Sequence, residues 1–338
     1  MKFLRALFFL FLLSFGATIF FLQVMGGGEG LGGPTEIQVE SGMTVREISQ
    51  ALKQHGLVPS AFAFRLYLQI NGLDTGVKTG TFSIPEDATF AEIAEILASA
   101  KGQEVTITIP EGYTVDQIDA LLAENGLGEQ GALLACAATC DFSSFDFLND
   151  GEGFLDAPSD RARRLEGYLF PDTYFVNPNE FVPQLFLERM LGTFRTRIIE
   201  GLAEDLAVSE RSLKEIVIMS SLIERETKTD EERPIVSGIL WKRFDANQGL
   251  DVDATIRYAL LKSTEPLTRE DLENPSPYNT RKHVGLPPGP IANAGLQSIQ
   301  AALHPKESPY WYYLHGKDGV IRYAETNDDH NANKARFL

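Results

Sequence analysis

The chain predicts an α+β protein. Three features carry that prediction: a strand, a turn and an N-capped helix that recur in the first third, a long helical middle, and a loop-rich end closed by a hairpin. The recurring unit appears three times. Thr44-Val45, Ile48 and Leu52 form one copy, Thr89-Phe90, Ile93 and Leu97 the next, and Thr114-Val115, Ile118 and Leu122 the third. Glu47, Glu92 and Gln117 each fall three residues after the threonine, the capping-box spacing in which two side chains satisfy free amides at a helix start. An alternating segment precedes each copy: Glu36–Val39, Thr81–Ile84 and Val105–Ile109. Unequal spacings exclude a solenoid. Residues 127–165 are less regular. Helical patterns then run over about Glu180–Leu206, Arg211–Glu226 and Asp230–Asp245. Pro275, Pro277, Pro287, Pro288 and Pro290 mark shaped loops of the kind that line sites. Trp311–Leu314 and Val320–Tyr323 flank a Gly-Lys-Asp-Gly turn, a hairpin signal.

Lys2 and Arg5 precede an uncharged run, Ala6–Met25, long enough to cross a hydrocarbon core of roughly 30 Å. Positive charge ahead of the run predicts a cytoplasmic stub over 1–5, a transmembrane helix over 6–25 and an extracytoplasmic body. The run is longer than a signal-peptide core and lacks a small-residue cleavage pattern. Residues 26–34, rich in glycine, read as a flexible tether.

The 338 residues are 43% hydrophobic and 23% charged, the proportions of a folded protein. A net charge of -17 argues against nucleic acid, which calls for a basic footprint. A carbohydrate remains compatible, because sugars are held by hydrogen bonds and ring packing. Cys136 and Cys140 fit neither a redox CxxC nor a zinc set. Outside the cytoplasm they have the option of one local disulfide. His283, His304, His315 and His330 show no metal-ligand spacing, and no metal or cofactor is expected.

The segment Ile216–Thr227 has apolar residues around nearly its whole circumference at 100° per residue, which predicts a buried helix. One sector differs: Ser220, Ser221 and Glu224 lie together, with Thr227 nearby. Small residues beside a carboxyl predict room for a substrate and a raised pKa, suited to a general acid. Glu226 lies on another side of the helix, and spacing alone does not choose between the two glutamates. Asp251 and Asp253 follow a glycine turn, and an N-cap is the plain alternative to a functional role. Asn279 sits in Tyr278-Asn279-Thr280, where it either orients a ligand or shapes a turn. No nucleotide loop, nucleophile elbow, zinc helix or cysteine–base pair occurs. By elimination, the chemistry rests on carboxylates. Two would suggest glycoside hydrolysis, and one with amide helpers a transglycosylase.

Several segments resemble the MltG (YceG-like) family of membrane-bound endolytic murein transglycosylases. They are Leu165–Tyr174, Ser221–Thr227, Leu250–Tyr258, Tyr278–Thr280, Gly285–Ile291, His304-Pro305 and Asn327–Asn331, in the family's order. The resemblance implies a LysM-like module over 35–110 and a catalytic domain over 111–338. It implies that the first Glu of Glu-Arg-Glu-Thr, Glu224, is catalytic. Asn279, Ser221, Tyr168, Asp253 and Tyr278 are the accompanying candidates for binding substrate. The implied reaction cuts the bond from N-acetylmuramic acid to N-acetylglucosamine without water, leaving 1,6-anhydro ends and limiting strand length. The implied partners are peptidoglycan strands, the inner membrane and the peptidoglycan synthases. A non-catalytic scaffold and a true hydrolase are the alternatives. The chain departs from the family around 130–160, which resembles an insertion, and at Asp251, where the family often has Gln.

Overall fold

A computed structural model describes residues 34–338 apart from 41, 86–87, 99–103, 149–163 and 263–264. The expected stub, the membrane segment 6–25, the tether up to residue 33 and much of the expected insertion lie outside the described residues. Among the described residues, no helix is long and apolar enough to cross a membrane. The chain divides into two compact units, one ending at Thr106 and adding Phe175–Glu180, the other holding Ile107–Tyr174 and Phe181–Leu338.

In the first unit β1 (Thr35–Val39) leads through two helices, α1 (Val45–Gln54) and α2 (Ala61–Ile70), to β2 (Gly80–Ile84). Helix α3 (Phe90–Ala98) follows. Strands β1 and β2 pair antiparallel, with Ile37 opposite Phe82 and Val39 opposite Gly80. The period-2 alternation turns Ile37, Val39, Phe82 and Ile84 inward, onto Ile48, Leu52, Phe64, Leu68, Phe90, Ile93 and Leu97. Truncating a fully buried leucine such as Leu52 to alanine removes about 2–5 kcal/mol. The predicted caps form: Thr44 N donates to Glu47 Oε2 at 2.7 Å, and Thr89 N to Glu92 Oε2 at 2.8 Å. Helix α2 lies between two of the predicted units and breaks their repeat.

Strand β3 (Val105–Thr108) pairs with β4 (Thr173–Val176). The second unit contains α4 (Val115–Glu124), whose capping box joins Thr114 and Gln117, and α5 (Ala132–Thr139). Helix α5 stops at Thr139, and Cys140 takes an extended conformation (ψ 155°) that turns it back to form a disulfide with Cys136. Helix α6 (Pro183–Phe194) runs on as a π-turn over Arg195–Glu200, and α7 (Ala203–Val208) follows.

At the centre lies α8 (Leu213–Glu226), opened by a Ser212–Glu215 capping box and buried from Ile216 to Ile223, as the sequence predicts. It packs on α9 (Glu232–Asp245), α10 (Asp253–Ala259) and α12 (Leu296–Leu303), with the short α11 (Arg269–Leu272) preceding α12 in the chain. The predicted hairpin is β5 (Tyr312–His315) with β6 (Ile321–Ala324), Tyr312 opposite Ala324. A final helix, α13 (Asn327–Phe337), buries none of its residues. Gly167 has φ 85°, and a Cβ there would meet Pro290 and Val217 within 2.7 Å, so only glycine lets the 165–168 turn reach the loop before α12.

Candidate active site

The last turn of α8 presents two carboxylates to different surroundings. Glu224 has 8% of its side chain exposed. Its Oε2 accepts from Gly295 N at 3.0 Å, and Arg233 Nη2 stands 3.5 Å from Oε1. Arg233 is itself held by Ser298 Oγ at 3.0 Å and by Asp230. Glu111 crowds the same spot: a Cβ on Gly295 would fall 1.9 Å from its Oε1. Burial, and after it the charge of Glu224, pushes the Glu111 carboxyl above its ordinary range.

Glu226, two residues on, borders a pocket of about 350 Å³. Asp251, Asp253, Arg243, Arg281, Tyr312, Tyr313, His315 and His330 share its walls. Tyr313 donates its hydroxyl to Glu226 Oε2 at 2.9 Å. Burial pushes the Glu226 carboxyl up to about 7; the Tyr313 hydrogen bond works against the rise and the charge of Asp253 adds to it. Burial, then the negative charge of Glu226, holds the Tyr313 phenol well above its ordinary value. Asp253 pairs with Arg281 at 2.7 Å, and Arg243 binds Asp251 and the Gly249 carbonyl. The Tyr312 ring stacks on His330 with centroids 5.1 Å apart. The pocket thus combines a carboxyl that titrates near neutrality, polar walls and an aromatic face. This is the equipment for protonating a sugar oxygen.

The serine hydroxyls expected beside Glu224 are taken up by their own helix. Ser220 and Ser221 have no exposed surface, and each hydroxyl bonds back to its own helix, to Val217 O at 2.8 Å and Ile218 O at 2.7 Å. Ser221 Oγ also accepts from Ile291 N at 3.0 Å, which fixes the proline-rich loop. Of the two glutamates the sequence offers, Glu224 is tied to a backbone amide and a guanidinium, and Glu226 faces the pocket with the raised pKa.

The other expected substrate contacts divide similarly. Tyr168 is 1% exposed and packs against Phe147 and Phe194, so it is core. Asn279 is fully buried: its Nδ2 donates to Leu272 O and Asn274 O at 3.0 and 2.8 Å, and its Oδ1 accepts from Arg281 N. It shapes the loop that carries Arg281. Tyr278 is half-buried against Tyr258, 5.1 Å between centroids, and does not line the Glu226 pocket. Asp253 does line it.

The buried brace of the site is not among the expected residues. Glu166, 1% exposed, accepts from Val115 N at 3.1 Å, from Tyr258 Oη at 3.3 Å and from Asn293 Nδ2 at 2.9 Å. Asn293 also accepts from Leu169 N and donates to Tyr113 O. These two residues lock residues 113–115, 166–169 and the loop before α12 together. A glutamate inside the Leu165–Tyr174 motif was the available signal for half of that brace; Asn293 has none in its own neighbourhood.

Comparison with known proteins agrees with this architecture. A Bacillus subtilis (strain 168) protein named endolytic murein transglycosylase is 30% identical over 310 residues, spanning 89% of this chain and 84% of that protein. A Streptococcus pneumoniae (strain D39) protein of the same name is 26% identical over 322 residues, covering 89% of this chain but 58% of the relative. The chain thus spans little more than half the length of the pneumococcal protein. A crystal structure of a YceG-like protein from Listeria monocytogenes superposes with a TM-score of 0.62 at 28% identity, over 88% of this chain and 98% of that one. The sequence pattern of the YceG-like family matches residues 37–336, and the chain belongs to that family.

Proposed function

We propose that the protein is an endolytic murein transglycosylase in which Glu226 is the acid and base. The observation that carries the assignment is the placement of Glu226, hydrogen-bonded by Tyr313 on the wall of an open polar pocket, where burial pushes its carboxyl up to about 7. The names of the relatives support the reaction class and the substrate, peptidoglycan. At neutral pH a large share of Glu226 is protonated. It gives its proton to the oxygen between muramic acid and glucosamine as the C1–O bond breaks. The resulting carboxylate takes the proton of the muramoyl 6-hydroxyl, whose oxygen bonds to C1 and closes the 1,6-anhydro ring. One proton enters and one leaves, so the glutamate is restored and no water is consumed. Tyr313 holds the carboxyl in place, and Asp253 is proposed to orient sugar hydroxyls. The family resemblance gives the acid and base role to Glu224, which anchors the Gly295 backbone at the start of α12, and the end-group assay run on Glu224→Gln as well decides between the two carboxyls.

In the same reading, residues 6–25 anchor the chain in the inner membrane and the body works outside the cytoplasm beside the synthases. The Cys136–Cys140 disulfide supports an oxidising compartment. Residues 35–110 are read as a LysM-like glycan-binding module, a reading supported by the order β1-α1-α2-β2. The test is digestion of purified sacculi followed by mass spectrometry of the new ends. Anhydro ends with the wild type and none with Glu226→Gln are expected. Ends carrying an added water would make the protein a hydrolase, and no new ends would leave it a binding scaffold.

A further inference from the structure

A second pocket, about 310 Å³, lies behind the same helix end, with Arg225, Arg257, Tyr258, Leu261 and Ile291 among its walls. Arg225 donates to the Gly112 carbonyl at 3.3 Å and Arg257 to the Glu265 carbonyl at 2.7 Å. Among the described residues, neither guanidinium pairs with a carboxylate. Lys262, also on the wall, is neutralised by Asp271 at 2.7 Å. Among the described residues the only carboxylate lining the pocket is that of Asp116, so two guanidiniums face one acid there. That positive surplus stands out in a chain of net charge -17. Tyr258, Leu261 and Ile291 supply apolar wall.

The two pockets share their supporting elements. Arg225 and Glu226 are neighbours on α8, their Cα atoms about 3.8 Å apart, and Asp253 and Ala254 divide between the pockets in the same way on α10. We propose that the second pocket receives the acidic peptide that muramic acid carries on its lactyl arm. The guanidiniums bind its carboxylates and the apolar wall takes its methyl groups. The inference rests on the transglycosylase reading, because it needs a muramoyl ring at Glu226. It makes the enzyme a reader of peptide-bearing strands, with Arg225 and Arg257 setting that preference.

The test is titration calorimetry on the full chain with two soluble probes, a glucosaminyl-muramoyl tetrapeptide and the same disaccharide without peptide. The peptide-bearing probe is expected to bind about tenfold tighter. Arg257→Ala should remove most of that difference, Arg257→Lys should restore part of it, and amidating the probe's carboxylates should imitate Arg257→Ala. Equal affinity for the two probes, or equal weakening of both by Arg257→Ala, overturns the proposal. A wild type that leaves sacculi uncut but keeps the Arg257-dependent difference would sink the catalytic reading and leave the peptide pocket standing.

Discussion

Glu224 and Glu226 are the same residue type on the same helix turn, and they lie in contrasting surroundings. Glu224 meets a backbone amide, a guanidinium and a second carboxyl in a nearly closed space. Glu226 meets a phenol and an open polar pocket. Fixed partners on both oxygens immobilise a carboxyl. Burial that outweighs the hydrogen bonds from Tyr313 and the Ala254 backbone leaves a proton available. A helix interior is therefore only the mounting for an acid, and the elements that pass over it decide whether it reacts.

The sharpest way to break this contrast is to neutralise each glutamate in turn. Glu226→Gln should cut the rate of anhydro-end formation by about 10²–10⁴-fold, the usual yield of a positioned acid or base, with the fold kept by circular dichroism. Glu224→Gln should lower stability to chemical denaturation by about 1–3 kcal/mol, because the buried Arg233 keeps Asp230 and Ser298 but loses one charged neighbour. A reversed pattern, with Glu224→Gln inactive but stable, would return the acid role to Glu224. Gly295→Ala acts on the Glu224 side alone. Its methyl would fall on the Glu111 carboxyl, and a loss of about 1–3 kcal/mol is expected from overpacking.

Smaller effects sharpen the Glu226 side. Its folded pKa of about 7 lies above the ordinary 4.5. The stability linked to the neutral carboxyl is therefore complete below about 4.5 and is lost as pH rises through about 7. Relative to the wild type, the melting temperature of Glu226→Gln should climb between pH 5 and pH 8; a constant difference would contradict the raised value. Tyr313→Phe removes the hydrogen bond that holds this pKa down. The alkaline fall of activity should then move to higher pH in a pH–rate profile.

What the sequence displayed was local. Capping boxes at Thr44, Thr89 and Thr114, the buried helix and the hairpin all depend on residues within a few positions of one another. Helix α13 escaped notice because it is polar all round and has no apolar period to read; Thr326, which accepts from Asp329 N at 3.1 Å, was its one signal. The site was legible as a carboxylate on α8 and no further. Glu224 and Glu226 differ by 200° on the helix, and only residues from 251–253 and 312–315, distant in the chain, decide which faces open space. Tyr168, Ser221 and Asn279 stood out because they are polar or aromatic in recognisable motifs. Their density of partners, invisible in one dimension, makes them framework.

The same terminal helix has a mechanical consequence. Asn327, His330 and Lys334 form one bank of the cleft, yet α13 buries none of its residues and is held by surface contacts, the His330–Tyr312 stack and Arg322 over the Phe337 ring, so little buried area secures that bank. Amide hydrogen exchange should find this helix releasing its protons far sooner than α8.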